Sequence, residues 1–437
     1  MPTIREELED WLRIPSVSTG GGDAEALARA CDWVLERIEG AGGSAERVVV
    51  DGSHPMAAGE LRASAPDAPT VLSYGHYDVQ DPGPLDAWES PPFEPTERDG
   101  RLYARGAADD KGNFLPLLHV ACELASAGEL PVNVRFLVEG EEEVGSDAVL
   151  RHLREQPPEV DCAIVFDSLM ADERTPAINT GARGLVQGPV EVRTAGRDLH
   201  SGLYGGAVLN ATHVLMDVLR QVLPGPDGRV REELRAGVAA TGDSERESWA
   251  RLPSGADMIG EAGAAEVTEG AAGEFWERTG AEPSVDVNML SAGEPRTVIP
   301  SVARAQLSVR LAPGQSAAEI APVVERLLRA ALPDGAELAV DLDLSDPALF
   351  DPNEPALQLA GEAFERACGA PPAFVRLGGT LPLLAVLAEQ GVPTIVSGFA
   401  LGADAFHAPN ESYRLESLRL GELTARELYR ALADLPR

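Results

Sequence analysis

The stretch Arg105-Gly-Ala-Ala-Asp-Asp-Lys-Gly112 places two adjacent carboxylates between glycines, directly after an extended run at residues 100–104. Neighbouring side chains of a regular strand point to opposite faces, so two adjacent Asp residues cannot both enter one pocket from a strand. The glycines at 106 and 112 therefore predict an irregular loop that exposes a carboxylate, a natural site for a cation. An Asp-Asp pair by itself is also typical of a solvated turn, so the surroundings decide between the two.

The first part of the chain alternates between two hydrophobic periods. Apolar residues recur at helical spacing over residues 2–12, 23–41 and 113–127. Short apolar or alternating runs predict strands at residues 47–50, 70–74, 132–138 and 162–166. Strands that alternate with helices predict an α/β domain, in which a mainly parallel sheet is flanked by helices and the active site lies at the carboxyl ends of the strands.

The pattern changes near residue 185. Strands are predicted at 185–194, 284–288, 303–311 and 337–342, and helices at 205–222 and 317–331. About four antiparallel strands with two helices make an α+β unit, which residues 224–280 elaborate with helices and loops. The earlier pattern resumes with a helix at 356–368, a strand at 394–397 and a last helix at 415–432. We therefore predict a catalytic domain of residues 1–184 and 346–437, with an inserted domain at residues 185–345.

Potential metal ligands follow three buried strands of the predicted catalytic domain. His76, Glu143 and Asp167 come shortly after the strands that end near residues 74, 138 and 166. One polar strand end is common on a solvated surface, but three of them together with the Asp109 loop predict a metal centre. His407, in the loop of residues 406–411, supplies a second imidazole.

Two imidazoles and three carboxylates are the ligands expected for two divalent ions, for which Zn2+ is favoured and Mn2+ or Co2+ are alternatives. A carboxylate can bridge two ions and an imidazole cannot. Asp109 is the natural bridge because its loop lies between the others along the chain. His76 and Asp167 are then left for one ion, and Glu143 and His407 for the second.

Two further carboxylates are predicted to serve the reaction. Asp78, two residues after His76, would lie behind the imidazole and hold its orientation. Two ions about 3.5–4 Å apart lower the pKa of a shared water toward about 7, and a base must still take and pass on its proton. Glu142, next to the ligand Glu143, is best placed to do so. A solvated acidic turn is the usual interpretation of such a Glu cluster, but it fits poorly directly after an alternating apolar strand.

Composition and charge exclude several classes of partner. The formal net charge of -35, without any Lys/Arg cluster, argues against nucleic acid and anionic membranes. No run reaches the 18 apolar residues of a membrane span, and the acidic start does not resemble a signal peptide, so we predict a cytoplasmic protein. The four scattered cysteines indicate neither disulfides nor a thiolate site. Lys111, the only lysine, lies inside the opening motif, which suggests that a compact ammonium is needed there.

Taken in order, these motifs resemble those of the dinuclear zinc exopeptidases. The matching segments are Gly75-His-Tyr-Asp-Val79, Gly106-Ala-Ala-Asp-Asp-Lys-Gly112, Glu139-Gly-Glu-Glu-Glu-Val-Gly-Ser146, Asp167 and His407. That family contains aminoacylase, succinyl-diaminopimelate desuccinylase, the glutamate-releasing carboxypeptidases and the carnosine-type dipeptidases. The segments Asp198-Leu-His-Ser-Gly-Leu-Tyr-Gly-Gly206 and Thr297-Val-Ile-Pro300 are most similar to the last of these. The resemblance covers nearly the whole chain, and its motifs are specific as an ordered set.

The resemblance implies that the inserted domain is a lid that also dimerises the protein, so a homodimer is expected. It places His200 in the active site of the partner subunit, where it would stabilise the oxyanion, and it places Asn288, Arg310 and Thr380 at substrate-contacting positions. The fork of Arg310 suits a substrate carboxylate. Carnosine-type relatives often have His where this chain has Asn288, and an acidic residue where it has Leu377. These departures leave the preference for a free amino terminus open.

We therefore predict metal-dependent hydrolysis of an amide bond in a short peptide, most favourably a dipeptide. The first alternative is a deacylase or desuccinylase that acts on an N-acyl amino acid. The second alternative, from another class, is a catalytically silent, metal-stabilised binding protein. The presence of all five ligands and of Glu142 argues against this second alternative.

Overall fold

The computed structural model describes residues 2–50 and 52–436. Over these residues the chain forms twelve α-helices, nineteen strands and several short 3-10 or π turns. The helices, α1 to α12 in chain order, are Ile4–Leu12, Ala24–Gly40, Lys111–Ala127, Asp147–Glu155, Ser201–Tyr204, Ala211–Leu219, Asp243–Trp249, Gly255–Glu261, Ala317–Ala330, Pro355–Cys368, Pro382–Glu389 and Leu415–Ala431. The strands, β1 to β19, are Ser44–Val48, Met56–Leu61, Thr70–His76, Thr96–Arg98, Arg101–Tyr103, Asn133–Glu139, Cys162–Phe166, Ala177–Ala182, Gly184–Arg193, Leu199–His200, Ser284–Ala292, Val298–Ile299, Val302–Leu311, Glu337–Val340, Asp343–Ser345, Ala348–Leu349, Ala373–Leu377, Thr394–Ser397 and Ser412–Arg414.

A large sheet forms the base of the molecule. Its strands run in the order β1-β2-β6-β3-β7-β18-β8-β16, and β17 also pairs with β8. The central strands β6, β3, β7 and β18 are parallel, whereas β1, β2 and β16 are antiparallel to their neighbours. Strand β7 is buried along its whole length, as expected for a parallel strand whose two faces are both covered by helices. The predicted α/β class with a mainly parallel sheet is confirmed.

A second, smaller sheet contains only antiparallel pairs among the described strands. Its order is β11-β13-β9-β14, with β15 paired to another part of β9. Helices α6 and α9 pack on it around a separate apolar core. The predicted inserted α+β unit with two helices is thereby confirmed. The chain crosses into this sheet between Ala182 and Gly184 and returns between Ser345 and Ala348, while the exact domain boundaries stay a prediction.

Two predicted elements differ from the observed ones. The helix predicted over residues 205–222 is wrong at both ends, since α6 spans only Ala211–Leu219. It begins after Asn210, whose side chain caps it by accepting a hydrogen bond from Thr212 N at 2.9 Å. The strand predicted at residues 47–50 lies earlier, at Ser44–Val48, where it pairs in register with β2. None of the helices in the described ranges has both the length and the apolar character that a membrane crossing requires.

The segment after α6, which the sequence left without a role, packs on the large sheet. Trp249 of α7 donates its indole N–H to the carbonyl of Phe374 in β17 at 2.9 Å, and Phe374 N donates to Ser248 Oγ at 2.6 Å. These contacts cover the outer edge of β17, where unpaired backbone groups would otherwise be exposed. Since β17 leads directly into the loop of residues 378–380, the segment also supports that loop.

A buried ion pair joins this segment to β17. Two nitrogens of Arg376 donate to the two oxygens of Glu245, each at 2.9 Å, and both side chains are almost fully buried. Thr180 Oγ1 donates to the same carboxylate at 2.9 Å. The pair is bidentate, so its two parallel hydrogen bonds fix the relative orientation of the side chains and strengthen the contact.

We expect Arg376→Met to lower the free energy of unfolding by about 3–5 kcal/mol, because it leaves the Glu245 carboxylate buried without a counter-charge. The double variant Arg376→Met/Glu245→Met should regain most of that loss, since no buried charge remains. Urea unfolding followed by circular dichroism measures both. The matched control is Arg419→Met, which removes an exposed ion pair with Glu416 and should cost less than about 1 kcal/mol. An Arg376→Met loss no larger than that of the control would contradict the expectation.

Candidate metal centre

The five candidate ligands converge at one edge of the large sheet. His76 ends β3 and Asp167 directly follows β7, and because these strands are parallel neighbours their carboxyl ends meet. Glu143 lies in the short turn after β6, the other neighbour of β3. Asp109 precedes α3, and His407 lies in the loop before β19. The edge is the one at which α/β proteins place their ligand sites.

The Asp109 carboxylate lies between the two imidazoles. Its Oδ1 is 3.1 Å from His76 Nε2, and its Oδ2 is 3.0 Å from His407 Nε2. His407 Nε2 also lies 3.2 Å from Glu143 Oε2. One carboxylate therefore offers a separate oxygen to each side, which is the arrangement that a bridging ligand needs.

The ligand atoms fall into two groups of three that share Asp109. His76, Asp109 and Asp167 each offer an atom within 4.8 Å of the others, and the same holds for Asp109, Glu143 and His407. These are the two sets that the sequence assigned to two ions. The structure thus brings the residues together, and their role as ligands stays a prediction.

A third cluster of possible ligands lies elsewhere, at His119, Glu123 and Glu422. Arg426 donates to both oxygens of Glu123, at 3.1 and 2.7 Å. An arginine already supplies the positive charge there, so this cluster does not need a cation.

Asp78 lies behind His76, as its position in the sequence suggests. His76 Nδ1 is 3.0 Å from the Asp78 carbonyl and 3.4 Å from Asp78 Oδ1, so the Nδ1–H group faces Asp78 and Nε2 faces Asp109. The Asp78 carboxylate also accepts the backbone N–H groups of Glu142 at 3.2 Å and Glu143 at 3.1 Å. Asp78 therefore orients the imidazole and the acidic turn together.

Burial and charge act in opposite directions on Asp109. Burial alone would raise its pKa, but the hydrogen bonds with His407 and His76 outweigh burial and hold the pKa below its usual range. Hydrogen bonds to Asp109 and then to Glu143 raise the pKa of His407 to about 10. The His407 imidazole thus favours its positively charged form, which balances the charge of Asp109 and Glu143.

Two other acidic groups of the site, Asp167 and Glu142, have pKa values above those of free carboxyl groups. Burial, followed by the charge of Asp109, raises the pKa of Asp167 to about 7. Burial also raises the pKa of Glu142 well above that of a free carboxyl, and nearby carboxylates add to the effect. So many acidic groups in a buried space need positive charge, and two divalent ions would supply it. The donor set of imidazole nitrogens and carboxylates fits such ions.

Glu411 is a buried residue of the site that sequence reasoning did not single out. Its carboxylate accepts hydrogen bonds from Arg105 Nη1 at 2.6 Å and from the backbone nitrogens of Gly106, Ala108 and Asp109 at 2.8–3.1 Å. It therefore shapes the loop that presents Asp109. Nothing in its sequence context distinguishes it from other glutamates, because its partners lie about three hundred residues away.

The loop around His407 has an unusual backbone. Ala405, His407 and Asn410 all have φ near +60°, a left-handed conformation that non-glycine residues seldom adopt. The Asn410 side chain holds the loop by accepting from Glu89 N and donating to the Ala87 carbonyl, both at 2.9 Å. Backbone strain of this kind persists where surrounding contacts impose it, and it clusters at functional sites.

Lys111, two residues after Asp109, uses its compact ammonium in a buried contact with the backbone. Its buried Nζ donates to the carbonyls of Trp11 at 3.1 Å and Ile14 at 2.9 Å. The ammonium therefore ties the end of α1 to the start of α3. Burial lowers the pKa of Lys111 to about 7.

Arg310 and Thr380, predicted from the resemblance to contact substrate, are in contact with each other. Arg310 Nη1 donates to Thr380 Oγ1 at 2.8 Å, and Thr380 Oγ1 donates to the carbonyl of Arg183 at 2.7 Å. Burial and then the charge of Arg310 lower the pKa of Arg183 to about 10. The charge of Asp286 acts on both arginines in the opposite direction. Arg183 is a second residue of the site that the sequence analysis missed. A charged residue between Ala182 and Gly184 was the feature of the sequence that could have indicated it.

His200 and Asn288 lie apart from these groups. His200 is exposed on β10, and its Nδ1 accepts the backbone N–H of Gly202 at 3.1 Å, which leaves the ring proton on Nε2. Asn288 is exposed beside a bulge in β11, at the edge of the small sheet. Within residues 2–50 and 52–436, no hydrogen bond or ion pair described for the chain joins either residue to the five candidate ligands.

Comparison with known proteins places this geometry in a family. Residues 72–431 match peptidase family M20/M25/M40. The chain is 30% identical over 400 residues to the cysteinylglycine-S-conjugate dipeptidase of Corynebacterium striatum, covering 89% of this chain and 86% of that protein. It is 29% identical over 378 residues to the Beta-Ala-His dipeptidase of Homo sapiens, covering 82% and 73%.

The fold is shared with proteins of known structure. The M20 family metallo-carboxypeptidase Sso-CP2 from Sulfolobus solfataricus superposes with a TM-score of 0.86 at 24% identity, covering 99% of this chain and 100% of that one. At this identity the likeness concerns the fold. The family match, by contrast, spans most of the sequence and includes all five candidate ligands. The chain therefore belongs to peptidase family M20/M25/M40.

Proposed function

We propose that this protein is a metal-dependent dipeptidase. The observation that carries the proposal is the pair of three-residue ligand groups that share the Asp109 carboxylate. The dipeptidases among its relatives, from Corynebacterium striatum and Homo sapiens, support a dipeptide as substrate. They do not favour the alternative of an N-acyl amino acid deacylase.

Two divalent ions, with Zn2+ preferred over Mn2+ or Co2+, fit the donor set. His76, Asp109 and Asp167 would hold one, and Asp109, Glu143 and His407 the other. Bound there, such ions lower the pKa of a shared water and polarise the substrate carbonyl. Asp78 keeps the His76 ring in the orientation that this binding needs.

Glu142 is the proposed general base. Its turn is held against Asp78 by two backbone hydrogen bonds, and the charges of His76, Asp167 and Asp109 act on its carboxyl group, which supports a place beside the centre. Glu142 accepts a proton from the attacking water as the water oxygen bonds to the carbonyl carbon. It returns that proton to the amide nitrogen as the C–N bond breaks, so the amine and the carboxylic acid, which keeps the second proton of the water, leave the site.

The substrate carboxylate is proposed to bind at Arg310, with Thr380 and Arg183 beside it. Both arginines are partly buried, and Asp286 is the acidic group of the described residues whose charge acts on them, so two positive charges share one nearby negative charge before an anion binds. The planar fork of Arg310 can donate two parallel hydrogen bonds to one carboxylate. Asn288 stays a predicted contact, on a different part of the small sheet.

A homodimer formed through the inserted domain is part of the proposal. Strand β11 is an edge of the small sheet, and exposed edges readily pair with another chain. Leu203 and Leu290 of the same domain are 77% and 61% exposed, which suits an interface better than open solvent. In that dimer His200 would reach the partner's active site and donate its Nε2 proton to the oxyanion. The cytoplasmic location stays a prediction.

Hydrolysis of a defined substrate panel tests the proposed function. After loading with Zn2+ or Mn2+, the protein should hydrolyse dipeptides, and should act at least about tenfold more slowly on dipeptide amides, which lack the carboxylate for Arg310. N-acetyl amino acids should be poorer substrates than dipeptides. Protein dialysed against a chelator is the control. Faster release of acetate than of amino acids from dipeptides would refute the dipeptidase proposal.

The separate roles of the adjacent glutamates are also testable. Glu142→Ala should retain both ions and lose at least about a hundredfold in turnover, the usual scale of a general base. Glu143→Ala should lose bound metal, since it removes a ligand. Elemental analysis after dialysis, together with turnover of a dipeptide, distinguishes the two. Equal metal loss in both variants would contradict these assignments.

The cross-subunit role of His200 predicts a specific pattern in mixed dimers. A donor aimed at developing charge contributes about 10²–10³ in rate, so His200→Ala should lose that factor. A chain that carries both His200→Ala and Glu142→Ala is co-expressed with a wild-type chain, and the mixed dimer is isolated by differential tags. If His200 acts across the interface, each of the two sites carries one lesion and the dimer is nearly inactive.

The matched control is a mixed dimer of wild-type and Glu142→Ala chains. It contains one intact site under either hypothesis and should keep about half of the wild-type activity. A double-variant mixed dimer that is as active as this control would show that His200 acts within its own chain.

A further inference from the structure

A small cavity opens beside two of the candidate ligands. It has a volume of about 160 Å³ and is bordered by Asp109 and Asp167. Its remaining wall is largely apolar and includes Leu169, Leu377 and Phe406. Its lining comes from the loop after β7, the end of β17 and the loop that carries His407, so the cavity belongs to the same edge of the sheet as the metal centre.

The polar side chains in the wall are already engaged within the protein. The Asn113 side chain accepts from Phe399 N at 2.8 Å and donates to the Ala108 carbonyl at 3.1 Å. The Ser168 hydroxyl accepts from Asn179 at 2.9 Å. The remaining polar groups of the wall, Asp109 and Asp167, are the ones that would be neutralised by bound ions. A polar or charged group that entered the cavity would therefore lose water without gaining a full set of partners.

The position of the cavity beside the metal centre indicates which part of a substrate it would contact. This inference rests on the proposed function. The scissile carbonyl would lie against the ligands Asp109 and Asp167, and the terminal carboxylate would lie at Arg310 and Thr380. Neither Arg310 nor Thr380 lines the cavity. The part of a dipeptide left to fill it is the side chain on the other side of the carbonyl.

We propose that this cavity binds the side chain of the substrate's N-terminal residue, so that the enzyme selects dipeptides with a compact apolar residue at that position. An apolar cavity of about 150 Å³ holds a benzene-sized group, so a leucine or methionine side chain matches the space. Burial of such a side chain expels water from Leu169, Leu377 and Phe406, whereas a glycine leaves the cavity unfilled.

Three dipeptides that differ only at the first residue test the proposal on Zn2+-loaded protein. Leu-Gly and Gly-Gly differ in the group that fills the cavity, and Leu-Gly and Asn-Gly have similar shape but opposite polarity. We expect kcat/KM for Leu-Gly to exceed that for each of the others by at least about tenfold, since even one methylene in an apolar pocket contributes about that factor. Calorimetry with the Glu142→Ala protein should show the same order in Kd, independently of turnover.

Variants of Leu377 locate the effect in the cavity. Leu377→Glu should lower the ratio of kcat/KM for Leu-Gly to kcat/KM for Gly-Gly by at least about tenfold. Leu377→Ala, which introduces no charge, should shift the preference in the same direction to a smaller degree. Elemental analysis checks that both variants keep their metal. Leu423→Glu, at an exposed leucine of α12, is the matched control and should leave the ratio of the two substrates unchanged.

The outcomes separate this inference from the proposed function. Hydrolysis of all three dipeptides at similar rates would refute the role of the cavity and leave the dipeptidase proposal standing. Absence of hydrolysis for all three, in protein that holds two ions per chain, would refute the proposed function itself. A preference for Leu-Gly that survives both Leu377 variants would also overturn the assignment to this cavity. If Leu377→Glu fails to fold, Leu377→Ala and the wild-type series decide.

Discussion

The Glu411 carboxylate is the contact on which the candidate centre depends. It receives the backbone N–H groups of Gly106, Ala108 and Asp109 together with the guanidinium of Arg105. A loop that turns several N–H groups toward one point needs an acceptor there, because buried donors without partners are costly. With this acceptor in place, the Asp109 side chain is directed toward the two imidazoles. The same glutamate lies four residues after His407, so one short loop provides an imidazole to the centre and orders the loop of its central carboxylate.

The candidate centre holds several buried carboxyl groups close together. These groups can all ionise together only if cations balance their negative charges. Contacts with two imidazoles lower the pKa of Asp109, whereas burial and acidic neighbours raise the pKa of Asp167 and of Glu142. Divalent ions would reverse that situation, since ligand carboxylates must be deprotonated to bind them. The net negative charge of the chain therefore has a local counterpart in the site.

The proposed carboxylate-binding residues connect the two sheets. Arg310 lies on β13 of the small sheet, and Thr380 lies on the loop that follows β17 of the large one. Their hydrogen bond, together with the bond from Thr380 to the Arg183 carbonyl, crosses the point at which the chain passes between the sheets. The segment that packs on β17 through Glu245 and Trp249 supports the same loop from outside. The relative placement of the sheets thus controls the distance between the candidate carboxylate site and the metal centre.

The sequence by itself determined the central strands and several helices of each layer, and where the chemistry lies along the chain. Periods of 3.6 and 2 reflect burial within one element, so β3, β7, α3 and the two strands β9 and β13 of the small sheet could be predicted from local pattern. A polar residue at the end of a buried strand is also a local signal, and it identified His76 and Asp167.

Only the tertiary structure decided that Glu411 holds the Asp109 loop, that Arg183 lies beside Arg310, and that residues 243–281 cover β17. These pairings join residues far apart in the chain, and an isolated Glu or Arg has the same local context whether it is solvated or buried. Their partners are therefore set by how the layers pack, which no pattern along the chain encodes.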